Sequence, residues 1–160
     1  MKKTIIRPTK LMFVFYIFLL IPVLNSCQTE KFYYAKYENL PLEKKQEVDI
    51  YVEAVKKEYP KNNNEISLML GYECFLNQSV IINKTIKKEF PSIKNVNHYG
   101  MIIVNVEKEK GKKIELEFSD KKKIKITPKQ NYDYISVCYN GKYKEWYIEY
   151  YDYPHLNPSE

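Results

Sequence analysis

The stretch that decides the fold is residues 134–151: Tyr134-Ile135-Ser136-Val137-Cys138-Tyr139-Asn140-Gly141-Lys142-Tyr143-Lys144-Glu145-Trp146-Tyr147-Ile148-Glu149-Tyr150-Tyr151. Two runs rich in β-branched and aromatic residues flank Asn140-Gly141, the dipeptide most suited to a tight type I′ turn, so the segment predicts a β-hairpin. Any two-residue loop at Asn140-Gly141 or Gly141-Lys142 pairs odd positions with even ones. Ile135, Val137 and Tyr139 then share a face with Trp146, Ile148 and Tyr150. A slip of one residue would scatter this apolar set over both faces, and the pattern forbids it. The opposite face collects Tyr134, Tyr143, Tyr147 and Tyr151, with Glu145 and Glu149 between them.

Working back from this hairpin, short strands dominate. Ile66 to Leu76 alternates as one strand. Val80-Ile81-Ile82 and Thr85-Ile86-Lys87 flank Asn83-Lys84 as a short hairpin. Met101 to Val106 is apolar on both faces at its start, as an interior strand would be. Ile114, Leu116 and Phe118 run into a turn at Ser119-Asp120, and Ile124 and Ile126 run out of it. One helix precedes them: Pro41 suits a first helical position, and Val48, Val52, Val55 and Tyr59 recur at helical spacing until Pro60 and Asn62-Asn63-Asn64 end it. One helix before seven or eight antiparallel strands predicts a mainly β domain over 40–160, an antiparallel sandwich or partly open barrel. Residues 27–39 read as a tether, though Phe32, Tyr33, Tyr34 and Tyr37 are aromatic enough for part of it to pack on the domain.

The first 26 residues read as an address. Lys2, Lys3, Arg7 and Lys10 come before Leu11–Leu24, which carries no charge and is too short for a comfortable bilayer span but right for a signal-peptide core. Leu24-Asn25-Ser26-Cys27 follows and resembles the lipobox of bacterial lipoproteins. The resemblance is confined to the leader. It implies cleavage after Ser26, diacylglycerol on the Cys27 sulfur, and a place in the cell envelope. Gln28 is not the Asp that resembles an inner-membrane retention signal, so the expected site in a host with two membranes is the outer one, and otherwise the outer face of the cell membrane. Two acyl chains are what stable anchoring requires.

Charge is read on the mature chain. Four of the 26 basic residues lie in the leader and none of the 20 acids does, which leaves 22 against 20, or +2. That balance argues against nucleic acid, which needs a concentrated basic face. The lysine clusters at Lys108–Lys113 and Lys121–Lys125 are interleaved with Glu107, Glu109, Glu115, Glu117 and Asp120 and read as solvated hairpin tips, with contact to anionic headgroups near the anchor as the sharper reading.

Besides Cys27 the chain holds Cys74 and Cys138. An extracytoplasmic compartment would allow a disulfide. The strand pattern argues mildly against one, since Cys74 falls on the face of Ile66, Leu68 and Leu70 while Cys138 faces away from Ile135 and Val137. Isolated glycines, with no Gly-rich loop, exclude a phosphate cradle or dinucleotide fingerprint. Neither a His-Glu-x-x-His, a Cys-x-x-Cys nor a nucleophile elbow is present, so no cofactor or metal is implied. His98 and His155 are the candidates for a hydrolase, the least favoured of the readings.

Eight of the 16 tyrosines lie between Tyr132 and Tyr153. Half-buried strands account for many of them. A free aromatic face would instead serve a glycan or protein ligand. The sequence therefore points to a non-catalytic, membrane-anchored binding domain with Tyr134, Tyr143, Tyr147, Tyr151, Glu145 and Glu149 as its candidate surface. An inhibitor or immunity-type lipoprotein that neutralises a toxin or enzyme is the alternative.

Overall fold

The computed structural model describes residues 28–90 and 100–155. The leader with Cys27, and His98, lie outside them. The described residues form a mainly β protein of two sheets. The first sheet runs β1 (Thr29–Ala35), β9 (Glu145–Tyr151), β8 (Tyr134–Asn140), β2 (Glu65–Gly71) and β5 (Met101–Glu107); the second runs β4 (Ile86–Glu89), β3 (Ser79–Ile82), β6 (Ile114–Phe118) and β7 (Lys123–Ile126). Helix α1 (Leu42–Glu58) occupies the place that the valine spacing assigns it, and its C-cap Tyr59 directly precedes Pro60.

The sheets face each other across one core. Ile66, Leu68, Leu70, Ile135, Val137, Trp146, Ile148 and Tyr150 of the first meet Val80, Ile82, Leu116, Phe118, Ile124 and Ile126 of the second. Trp146 lies in this core with Ile135, Val137, Ile148 and Tyr150, as the parity of the hairpin requires. The other face of the first sheet is covered over part of its area by α1, where Val48 and Val55 pack with Met69, Met101, Ile103, Tyr134 and Tyr151. Where the helix lies, the protein has three layers.

Four features differ from the sequence expectation. The first sheet is mixed rather than antiparallel, because β1 pairs with β9 and β2 with β8 in parallel. The pairs are far apart in the chain, so no local turn signal records their direction. β5 is an edge strand, yet both its faces are buried: Met101 and Ile103 lie under α1, and Val104 and Val106 lie in the inter-sheet core. Its two-sided apolarity reports a layer on each side, not a neighbour on each edge.

The third difference is the β8–β9 turn. Asn140 pairs with Glu145, so the loop is Gly141–Lys144 rather than two residues. The Asn140 side-chain oxygen accepts the backbone N–H groups of Lys142 and Tyr143, at 3.1 and 3.3 Å, and only Lys144 takes a left-handed φ of 56°. Asn140 thus acts as a side-chain turn former. The loop is longer by an even number of residues, so the face assignment survives. Left-handed residues in succession occur instead at Asn83 and Lys84.

The fourth is a disulfide between Cys74 and Cys138, with Cα atoms 5.2 Å apart. The alternation from Ile66 breaks at Gly71, and Tyr72–Phe75 form a helical turn, α2. That turn carries Cys74 off the strand face the pattern assigned it and over to Cys138 on the neighbouring β8; Gly71 lies directly beneath, where an added Cβ would stand 3.5 Å from the Cys74 sulfur.

Candidate functional site

The tyrosine face of the terminal hairpin is divided by the helix. Tyr134 and Tyr151 are buried under α1 and belong to its packing cluster, which corrects the expectation that they are exposed. Burial, with the Glu149 carboxylate beside it, pushes the Tyr151 hydroxyl far above its ordinary value; the hydroxyl donates to Glu149 at 2.8 Å. Burial, reinforced by Asp133, raises Tyr134 as well. The carboxylates at Glu145 and Glu149 do not oblige the whole face to be open. Each accepts a tyrosine hydroxyl two residues along the strand, Tyr147 to Glu145 at 2.9 Å and Tyr151 to Glu149, and a satisfied carboxylate at a layer's rim costs little.

What remains accessible is the β1 side of the hairpin. The segment expected as a tether is the edge strand β1, hydrogen-bonded to β9 over Thr29–Ala35. Phe32, Tyr33 and Tyr34 are each about half exposed, at 45, 48 and 51%. Thr29 to Tyr34 are all exposed, so neither face of the strand is fully covered. On one face Tyr33 stacks on Tyr147 with ring centres 6.2 Å apart and planes at 7°, and Lys31 lies 5.4 Å from the Tyr147 ring. On the other, Tyr34 stacks on Tyr150 at 5.0 Å and meets Tyr132 edge-on at 5.6 Å. Tyr143, at the tip of the β8–β9 loop, is 59% exposed.

Polar groups frame the aromatic edge. Lys31 Nζ is 2.8 Å from Glu145 Oε2. The hydrogen bond from Lys31, then that from Tyr147, hold the Glu145 carboxyl below its usual range, while the bond to Glu145 raises the Tyr147 hydroxyl. The arrangement offers flat apolar rings beside a fixed donor–acceptor pair. Such a surface can stack on a sugar or a planar side chain and hydrogen-bond its rim.

Sequence reasoning placed Tyr143, Tyr147, Glu145 and Glu149 on one face, and the first three stand at or beside the accessible edge. It missed Lys31, Phe32, Tyr33 and Tyr34 as site residues. The usable signal was their β propensity, four aromatic or β-favouring residues in Phe32-Tyr33-Tyr34 and Thr29, which suits a strand better than a linker.

A second concavity lies at the far end of the sandwich, an open polar groove of about 470 Å³ between the Asn83-Lys84 turn, Glu107, the Glu109–Lys113 loop and Lys125. Four of its charges pair, Lys125 with Glu115 at 2.6 Å and Lys112 with Glu109. Close by, Asp133 ties Lys61 and Lys108 together. His155 stacks on Tyr151 at 4.4 Å with planes at 12°. Among the described residues no group of three or more His, Cys, Asp or Glu could hold a metal ion, and no helix is long and apolar enough to cross a membrane.

Comparison with known proteins finds no matching family model, no matching curated protein and no matching solved structure.

Proposed function

We propose that this protein is a non-catalytic binding domain of the bacterial cell envelope, held by lipid on Cys27, that takes a glycan or protein ligand on the aromatic edge formed by β1 and β9. The observation that carries the reading is the half exposure of Phe32, Tyr33 and Tyr34 on an edge strand, Tyr33 on one face with Tyr147 and Phe32 and Tyr34 on the other with Tyr150. Large exposed rings on both faces of a sheet edge invite association, and natural proteins blunt such edges unless they are used. The lipobox-like Leu24-Asn25-Ser26-Cys27 supports the anchor. With Gln28 following the cysteine, the outer membrane is the favoured location in a host with two membranes.

The anchor is tested by feeding cells a clickable fatty acid. Wild-type protein should be labelled, and Cys27→Ser should accumulate as unlabelled precursor; equal labelling of both would remove the assignment. The binding edge is tested by capture from envelope extracts with the full-length protein and its Tyr33→Ser/Tyr147→Ser variant. These side chains lie outside both core clusters, so the variant should keep the wild-type melting curve and lose the captured ligand. Undiminished capture would exclude this edge.

A further inference from the structure

The sandwich has two poles, and Gln28 marks one of them. Its side-chain oxygen accepts the Trp146 indole N–H at 2.9 Å, and the Thr29 N–H donates to the Lys144 carbonyl at 3.4 Å. Successive Cα atoms lie about 3.8 Å apart, so Cys27 is within one peptide unit of this pole and no free tether intervenes.

Two loops crown the same pole. The β8–β9 loop carries Lys142, Tyr143 and Lys144, all exposed. The β6–β7 turn carries Lys121 and Lys122; Lys122 Nζ lies 4.6 Å from the Tyr139 ring and Phe118 lies 5.5 Å from Trp146, which seats that turn beside the loop. The acids nearby are Glu30, Glu73, Glu89, Glu117, Asp120 and Glu145, of which Glu89 pairs with Lys87, Glu117 with Lys123, Asp120 with Lys122 and Glu145 with Lys31. Lys121, Lys142 and Lys144 make no ion pair among the described residues.

We infer that this pole docks on anionic phospholipid headgroups, with Lys121, Lys142 and Lys144 meeting phosphate charge and Tyr143 entering the interfacial layer between two of them. The inference rests on the lipid anchor proposed at Cys27. A chain with no slack keeps these lysines close to the bilayer surface, within the roughly 10 Å over which its negative potential acts. Each lysine there favours the docked state by about fivefold, or ~1 kcal/mol, and three together by on the order of a hundredfold. Tyrosine is enriched at this depth because its ring is apolar and its hydroxyl wet. Docking stands the sandwich on the Gln28 pole, leaving the β1 edge open to the side and the polar groove facing away from the membrane.

The test is lysine footprinting of the mature lipidated protein on vesicles of phosphatidylcholine, with and without phosphatidylglycerol. A water-soluble amine-acylating reagent is applied and modification is read residue by residue by mass spectrometry. On phosphatidylglycerol, Lys121, Lys142 and Lys144 should react at least about tenfold more slowly than on the neutral lipid, and high salt should restore them. Lys84 and Lys113, at the far groove, should react equally on both. In the Lys142→Gln/Lys144→Gln variant, Lys121 should lose most of its protection, since only its own preference of about fivefold remains. Protein that floats with both vesicles but shows equal reactivity at all three lysines keeps its anchor and overturns the docking. Protection at Lys84 and Lys113 instead would overturn it by reversing the orientation. Protein that fails to float with neutral vesicles overturns the anchor, and the docking with it.

Discussion

Trp146 donates its indole N–H to the side-chain oxygen of Gln28 across 118 positions of chain, binding the residue next to Cys27 to one end of the inter-sheet core. Trp146 is 1% exposed and packs against Phe75, Phe118 and Tyr139. Trp146→Ala should therefore cost about 3–5 kcal/mol. Gln28→Ala, which leaves the ring in place, should cost only about 1 kcal/mol. Denaturant melts of the three proteins check both, and equal losses would mean that the hydrogen bond rather than the packing holds this pole.

Two tyrosines on the same face of β9 should respond oppositely to truncation. Tyr151 lies under α1, so Tyr151→Ala should lose about 3–5 kcal/mol. Tyr147→Ala removes a ring from the accessible edge and should leave the denaturation midpoint nearly unchanged. Midpoints in urea decide the matter; comparable destabilisation by both would mean that the helix does not divide this face.

The disulfide closes a long loop, since Cys74 and Cys138 are 64 positions apart. Constraining such a loop in the unfolded chain is worth roughly 4 kcal/mol by the chain-entropy estimate, with about 2–4 typical. Reduction, or the Cys74→Ala/Cys138→Ala variant, should lower stability by that amount, read as a shift in the thermal midpoint. Thiol titration of the native protein should find neither sulfur free.

Alkaline pH should unfold the protein before the tyrosines of its core ionise in place. Burial first, and then nearby Tyr34 and Glu30, push Tyr150 up to about 12; burial and then Tyr51 push Tyr153 to about 12. In the unfolded chain both titrate near 10. Folded pKa values above the unfolded ones mean stability is whole below pH 10 and is lost as pH rises toward 12, by up to about 1.4 kcal/mol per pH unit for each tyrosine. Ultraviolet titration should show these phenols ionising together with loss of circular dichroism. Smooth ionisation of a folded protein near pH 10 would contradict their burial.

The acid side is governed at Asp133. Burial raises its carboxyl, but hydrogen bonds from Lys108 and Lys61 outweigh this and hold its pKa below the usual value. Its contribution is therefore complete above the unfolded pKa of about 3.9 and is lost as pH falls through the lower folded value. The side chain is 36% exposed, so solvent screening limits the effect, and Asp133→Asn should cost about 1 kcal/mol at neutral pH. The wild-type advantage should vanish in acid; an advantage that persists at low pH would assign it to packing rather than charge.

Much of this protein is determined locally and is legible without coordinates. Alternation over Tyr134–Tyr151 settles which residues of the hairpin face the core, because the strand period of two survives any change in loop length by an even number. The valine spacing of α1 and the alternation at Ile114–Ile126 are equally local. What only the tertiary structure decided are relationships between distant segments. Parallel pairing makes Thr29–Ala35 an edge strand of the same sheet as the C-terminal hairpin, and nothing in those seven residues names β9 as their partner. The placing of α1 over one half of a face buries Tyr134 and Tyr151 and leaves Tyr147 accessible, although all three occupy equivalent positions in the alternating pattern. The turn at Tyr72–Phe75 brings Cys74 to Cys138 by breaking a strand that alternation alone would continue. Periodicity records which way a side chain points relative to its own backbone; what covers that side chain depends on a layer contributed from elsewhere in the chain.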